Sequence, residues 1–382
     1  MPRNLIHSDA IADYRGVIAS PGAVLMNGNC IEAVGTPEEV GTPADVEITQ
    51  IKGLLTPSFV NAHAHLDLSG DGIAPPPDSF INWVEEVVYP IRVKGEVAHA
   101  IEQGVRMSKE GGTVIVGDIA SSVLAAECAK KLLPRCVPFV ELFGTGTRER
   151  IVAEQVGHVE HAFAVQPHAP YSCGLEVYKA SFKSGRKVAT HLAETIEELE
   201  YAEQGTGAFL EYVQRLGVWD TSMTAWSAHP IDALLKIADG AHFVSAHLNY
   251  IEDRHLPMLA QSNMSVAYCP RASVYFGHTN HRWKEMVDAG VNVALGTDSL
   301  LCLDTPDRIS VLDEMRLLYK RDNADPTLLL GMATINGATA LGVDASLVVL
   351  QPGETAGILS FANCHSLESI LQAEVLPEWV CV

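Results

Sequence analysis

The sequence is short of positive charge. Lysine and arginine total 26 against 47 aspartates and glutamates, a formal net charge of −21. That deficit argues against nucleic acid or an anionic membrane as the main partner. Acidity of this size is read more simply as an aid to solubility. No apolar run approaches the roughly 20 residues a membrane-spanning helix needs. Residues 1–20 carry no apolar h-region, so no signal peptide is expected. The eight cysteines form no C-x-x-C pair, and most sit in apolar runs, as small core residues do. In a chain of 382 residues they do not read as a disulfide framework, and a cytoplasmic location is the expectation. Neither a P-loop nor an H-E-x-x-H motif occurs, and no tract is of low complexity.

What is present is an ordinary globular composition, 47% hydrophobic and 19% charged, with length for a large core. Residues 1–56 read as short β segments. Those at 23–26 and 30–34 flank Asn27-Gly28-Asn29, a hairpin signal because Asn and Gly tolerate positive φ. From Pro57 the pattern becomes strand then helix, repeated. Eight strand candidates lie at 59–63, 113–118, 136–143, 162–166, 188–191, 242–247, 265–269 and 291–297. Helical periodicity separates most of them, at 121–133, 175–184, 196–216 and 282–288, with an extra helix at 231–238. Near-continuous apolar strands alternating with helices predict a parallel (β/α)8 TIM barrel over 57–348. The long segment after His65, through Pro75-Pro76-Pro77 into Phe80-Ile81-Asn82-Trp83, would leave the C-terminal end of strand one and roof a pocket. Residues 349–382 turn β-rich again.

Four stretches carry chemistry. Asn61-Ala62-His63-Ala64-His65 ends an apolar run in H-x-H. In an extended strand, residues i and i+2 face the same side, so both imidazoles can reach one ion. Val188-Ala189-Thr190-His191-Leu192-Ala193-Glu194 ends a β-branched run in a histidine, with a carboxylate three places on. Ala246-His247 and Gly296-Thr297-Asp298-Ser299 have the same form. Each alone reads as an ordinary polar residue at a strand end. Placed together on strands one, five and eight, His63, His65, His191 and Asp298 make a metal-ligand set. Three imidazoles and a carboxylate suit zinc, iron or another borderline divalent ion and leave a position for water.

Together these motifs resemble the metal-dependent amidohydrolase superfamily, over about residues 53–342. The glutamate three places after the strand histidine resembles its hydrolytic deaminase branch. The resemblance implies a divalent metal, zinc first and iron as the alternative, with His63, His65, His191 and Asp298 as ligands. Many members hold two metals bridged by a carboxylated lysine on strand four. Here that strand runs through Val165-Gln166-Pro167-His168-Ala169-Pro170, with no lysine before Lys179, so one metal is expected. Pro352-Gly353-Glu354-Thr355-Ala356-Gly357 resembles the family's return into a small β subdomain, which implies a β-sandwich-like unit built from 1–56 and 349–382. Members usually carry an aspartate near Gly357, and this chain does not.

The resemblance also assigns roles. The catalytic residues would be Glu194, His247 and Asp298. Glu194 would bind a ring nitrogen and move a proton to it; its plain alternative is a favourable charge at a helix start. His247 would orient the attacking water from beside the metal or as a weak ligand to it, or be a core histidine. His168-Ala169-Pro170-Tyr171-Ser172 resembles the substrate-facing loop, with His168 donating to a substrate oxygen. Trp83 stacking on a heterocycle and Arg148 on its Gly-rich loop complete the substrate-binding set, each matched by a packing or surface role. The H-x-E with P-C-x-x-C zinc design is absent. The implied reaction is attack of metal-generated hydroxide on an amino-bearing ring carbon, with release of ammonia. The implied partner is a small heterocycle of purine or adenosine type, such as 6-amino-6-deoxyfutalosine, and a homodimer is compatible with the sequence. Rival readings are a hydrolase of a carbon–chlorine bond or cyclic amide on the same scaffold, and a catalytically silent scaffold protein.

Overall fold

Uninterrupted apolar runs become strands covered on both faces. All seven residues of Phe59–His65 (β1) and all eight of Thr113–Ala120 (β2) are buried, as a strand between two packed layers requires. The series continues through Val137–Leu142 (β3), Ala164–Pro167 (β4), Ala189–Leu192 (β5), Phe243–His247 (β6), Met264–Tyr268 (β7) and Asn292–Leu295 (β8). The computed structural model describes residues 3–94 and 96–382.

Spatial order follows chain order. β1 to β4 lie side by side in one sheet and β5 to β8 in another, with parallel pairing from β2 to β4 and from β5 to β8. Between β4 and β5, Val165 N–H donates to Lys187 O at 3.0 Å and His191 N–H to His168 O at 2.9 Å. Past β8, Thr297 N–H donates to His63 O at 2.9 Å, and Asp298–Ser299 pairs in parallel with Ala64 and His65 of β1. The result is a TIM-barrel-like α/β arrangement.

Two expectations are corrected. The helix expected over 196–216 is two helices, Ile196–Gln204 and Ala208–Arg215. Gly205 (φ 67°) and Gly207 (φ 87°) take left-handed backbone between them, which terminates the first helix as glycine commonly does. The eighth strand, expected over 291–297, spans Asn292–Leu295, and pairing resumes at Asp298–Ser299.

The chain divides into two compact units. One runs through Ala62 and includes 106–116 and 307–382; the other comprises 63–105 and 117–306. The first unit contains an antiparallel-rich sheet with strands from both chain ends. Its order is Gly353–Glu354, Cys30–Gly35, Gly22–Asn27, Arg3–Asp13, Glu47–Pro57, Ile358–Ala362 and Glu378–Cys381, with Gly16–Ala19 beside Arg3–Asp13. Asn27 pairs with Cys30 across the Gly28-Asn29 turn, where Gly28 has φ 58°. Ile6, Ile11, Val24, Met26, Ile31, Leu55, Leu350 and Ile358 form its apolar core. No helix among the described residues is long and apolar enough to cross a membrane.

The strand Glu47–Pro57 holds the two chain ends together, pairing in parallel with Arg3–Asp13 and antiparallel with Ile358–Ala362. Within it, a Cβ at Gly53 (φ 149°) would stand 2.0 Å from Phe361 O. Gly53→Ala is therefore expected to lose at least about 1–3 kcal/mol. Gly157→Ala, where no atom lies within 4 Å of a built Cβ, should stay within about 0.5 kcal/mol of the parent. Urea denaturation of the two variants checks the difference.

Candidate metal centre and active site

The C-terminal ends of β1, β5 and β6 and the segment after β8 deliver titratable groups to one place. His63, His65, His191, His247 and Asp298 are all buried. His65 Nε2 lies 3.3 Å from His191 Nε2 and 3.4 Å from Asp298 Oδ1. His63 Nε2 lies 3.8 Å from Asp298 Oδ1. The His63 ring stands edge-on to His65, His191 and His247, with centroids 5.1, 5.0 and 5.5 Å away. Glu194 joins them, its Oε1 3.4 Å from His247 Nε2. Three overlapping triplets therefore have ligand atoms within 4.8 Å of one another: His63, His191 and His247; His63, His65 and Asp298; Glu194, His247 and Asp298.

Burial decides the charge states here. It holds the pKa values of His63, His65, His191 and His247 well below the ordinary histidine range, so the imidazoles are neutral and have lone pairs to give. His191 Nδ1 lies 3.0 Å from His168 O and 3.1 Å from Gln166 Nε2. The carbonyl can only accept, so Nδ1 carries the proton and Nε2 is left free to ligate. Burial raises the Asp298 carboxyl to about 6. It raises Glu194 well above the carboxylate range, with the charges of Asp298 and Glu198 adding to the effect. Neutral imidazoles packed against carboxyls that resist ionising form a donor set a divalent cation satisfies, and the residues present fit zinc or iron(II).

The backbone around these groups is bent to aim them. Ala193 (φ 49°), His247 (φ 74°), Leu248 (φ 52°) and Asp298 (φ 62°) are all left-handed non-glycine residues, a conformation that costs energy and concentrates at functional sites. The Glu198 carboxylate secures one of these bends. It accepts from Ala193 N–H at 2.7 Å and Glu194 N–H at 2.9 Å. Asn249 Nδ2 donates to Glu194 O at 2.9 Å, and Ser273 Oγ donates to Asn249 Oδ1 at 3.0 Å. On the other side, the Cys302 thiol lies 3.7 Å from Asp298 Oδ2.

A cavity of about 820 Å³ opens onto this cluster. His65, His191, Glu194 and Asp298 form part of its wall, with His168, Trp83 and Arg148. His63 and His247 are not among its lining residues. Phe80, Trp83, Tyr171 and Phe209 make an aromatic wall, with Tyr171 and Phe209 stacked at 3.9 Å. Trp83 is buried and edge-on to Phe276 at 5.0 Å, whereas Arg148 is exposed. The segment from Phe80 to Lys94 contains a π-helical turn, in which Tyr89 N–H bonds to Val84 O; such turns are frequent beside functional sites.

Sequence reasoning missed a buried ionic cluster beside His65. Arg92 pairs with Glu141, lies 3.8 Å from Asp67, and brings Nη2 within 3.4 Å of His65 Nδ1. Asp118 accepts from Leu66 N–H at 3.0 Å. The signal was an acid at the end of an apolar strand: Glu141 closes Val137-Pro138-Phe139-Val140-Glu141-Leu142 as His191 closes its own.

An amidohydrolase family model matches residues 54–379, and the chain belongs to that family. It is 27% identical to a 5′-deoxyadenosine deaminase of Methanothermobacter thermautotrophicus, over 93% of this chain and 83% of that one. It is 26% identical to a 5-methylthioadenosine/S-adenosylhomocysteine deaminase of Moorella thermoacetica, over 94% and 85%. Its fold is similar to that of Helicobacter pylori aminofutalosine deaminase crystallised with methylthio-coformycin, with a TM-score of 0.82 at 20% identity over 98% of each chain.

Two outcomes are expected. His191→Ala removes a nitrogen donor from the cluster and should strip bound metal, read by elemental analysis of the purified variant. Burial raises the Glu198 carboxyl to about 8 from an ordinary 4.5, against the pull of the backbone N–H groups of Glu194, Ala193 and Thr195. The folded value lies above the unfolded one, so folding takes up a proton between them. That contribution to stability is full below the unfolded value and is lost as pH rises through the folded one, by up to about 1.4 kcal/mol per pH unit. Denaturation from pH 5 to 9 should show Glu198→Gln with a flatter pH dependence than the parent.

Proposed function

We propose that this chain is a hydrolytic deaminase of adenosine-type nucleosides, with one divalent ion, zinc in the first instance, held by His63, His65, His191 and Asp298. The observation that carries the reading is the Glu194 carboxyl. It is buried, biased toward its protonated form, set beside His247, and on the wall of the cavity next to the cluster of metal-ligand type. A neutral carboxyl poised over an apolar cavity is what protonation of a heterocycle nitrogen requires.

The ion supplies Lewis acidity and makes hydroxide available from water near neutral pH. The chain's residues do the rest. Asp298 and His247 hold the attacking water and take its proton. Glu194 gives its proton to the ring nitrogen as oxygen adds to the amino-bearing carbon. The amino group leaves as ammonia with the proton drawn from the water, the proton of the added hydroxyl passes to Glu194 and restores its carboxyl, and a ring carbonyl remains. His168 and the aromatic wall of Phe80, Trp83 and Tyr171 receive the base and sugar. Arg148 stands at the cavity wall, where it reaches a substituent on the sugar.

The substrate class follows from cavity and relatives together. About 820 Å³ is at the large end for small-molecule sites, which run from about 300 to 1,000 Å³, so a nucleoside with a 5′ substituent suits it better than a free base. 5′-Deoxyadenosine, methylthioadenosine and 6-amino-6-deoxyfutalosine are the members of that class to test. For the scaffold, the reading takes the eight strands as a closed (β/α)8 barrel within 57–348, with a β subdomain from 1–56 and 349–382.

An ammonia-release assay with metal-loaded protein, run over those nucleosides, guanine and a chlorotriazine, tests the class. Ammonia from the adenosines is expected, and chloride release without ammonia sinks the reading. Glu194→Gln keeps the shape but cannot shuttle a proton. Its metal content should stay level while turnover falls by about 10²–10⁴-fold. Loss of metal in that variant makes Glu194 a ligand instead. Asp298→Asn should lower metal content and rate together.

A further inference from the structure

The His247 imidazole is aimed by a strained turn. His247 ends β6 with φ 74°, and Leu248 N–H donates back to Ala246 O at 3.2 Å. A bond from residue i+2 to residue i around a central residue of positive φ is a γ-turn of the rare, strained kind. The same N–H reaches Leu192 O of β5 at 3.0 Å. His247 pairs with Leu192 on that side, but the ladder to β7 ends one residue earlier, at Ala246 and Ala267. On the β7 side the turn needs another support.

His281 supplies it. It lies between the helices Pro270–Tyr275 and Trp283–Asp288, and its Nε2 stands 2.7 Å from His247 O. A carbonyl can only accept, so the His281 Nε2–H donates. The His281 ring is stacked on Tyr268, the last residue of β7, with centroids 3.7 Å and planes 13° apart. Tyr268 is fully buried, so the ring lies on a fixed surface. His281 itself is not among the residues lining the cavity. What the turn presents is the His247 side chain, with Nε2 3.4 Å from Glu194 Oε1 and its ring 5.5 Å from those of His63 and His191. A peptide that rotated to relax its φ would carry the imidazole off this arrangement.

We propose that His281 is a positioning residue for the deamination. Through the His247 carbonyl it holds the γ-turn, and the turn holds the imidazole beside Glu194 and the attacking water. This rests on the deaminase reading above and extends it to a residue off the cavity wall. A bond of this kind acts on the geometry of the reacting groups, so its loss slows turnover more than it weakens binding.

The test is steady-state ammonia release by the metal-loaded full chain with the adenosines named above. His281→Phe keeps a ring on Tyr268 and lacks the donor. Its metal content should stay level and its KM within about 3-fold of the parent, while kcat falls by about 10–100-fold. His281→Gln gives up the stack but brings an amide N–H to the place of Nε2, and should recover kcat to within about 3-fold of the parent. A residue that only packs predicts the reverse order, Phe above Gln. In a His247→Ala background, His281→Phe should change kcat by less than about 2-fold, because the group it aims is gone. Should His281→Phe not fold, His281→Met, as long as Gln and without a donor, replaces it in both comparisons. Full kcat in the folded donorless variant overturns the assignment and leaves the deaminase reading standing. So does a Gln variant no faster than the donorless one, and so do losses that add to that of His247→Ala. No ammonia from any adenosine in the parent removes the deaminase reading, and this assignment falls with it.

Discussion

The structure depends on gathering buried titratable groups at the foot of one cavity. His63, His65, His191, His247, Glu194 and Asp298 are all buried and lie within contact of one another. Each would be better solvated apart. Holding them together needs a scaffold rigid enough to refuse relaxation, and β-strands buried on both faces are such a scaffold. It also needs the bends at Ala193, His247 and Asp298, which no strand would adopt for its own sake. The Glu198 carboxylate fastens one bend by two backbone bonds. Much of the polar detail around the site, Asn249 and Ser273 included, serves to keep those groups aimed.

The same physics explains what could be read in advance. A histidine or aspartate at the end of an apolar run contradicts its surroundings, so His63, His65, His191, His247 and Asp298 stood out, and the period of strand and helix placed them on one rim. Glu194 stood out through its spacing from His191. The Arg92, Asp67, Asp118 and Glu141 cluster did not, because its members come from four separate segments and only the fold makes them neighbours. Arg92 lies in the long segment after His65, and Glu141 lies inside the strand expected over 136–143, where neither marks itself as a neighbour of the other. Local glycines also outweighed a longer pattern: helical periodicity over 196–216 predicts one helix, but Gly205 and Gly207 break it.

The cavity joins two environments that do different work. At its floor, neutral imidazoles and hard-to-ionise carboxyls favour a cation and proton transfer. Along its wall, Phe80, Trp83, Tyr171 and Phe209 supply flat apolar surface that binds without directing chemistry. Arg92 sits at the boundary, touching His65 on one side and Glu141 on the other. Family membership settles less about the substrate than about the reaction, because one fold hosts many sites.

The spread of the clustered residues along the chain has a consequence for synthesis on the ribosome. His65 and His191 are 126 residues apart in sequence, yet their Nε2 atoms are 3.3 Å apart, and Asp298 follows β8, the last strand of the series. The H-x-H pair emerges early and must wait for nearly all the strands before its partners exist. Bringing such distant segments together is slow, because loop closure must precede any reward from contact. Metal cannot act as a seed for this fold as it does in a zinc finger, where ligands are close in sequence. It can only lock a nearly finished structure, and a nascent chain interrupted before His191 would carry the His63–His65 pair with nothing to complete the cluster.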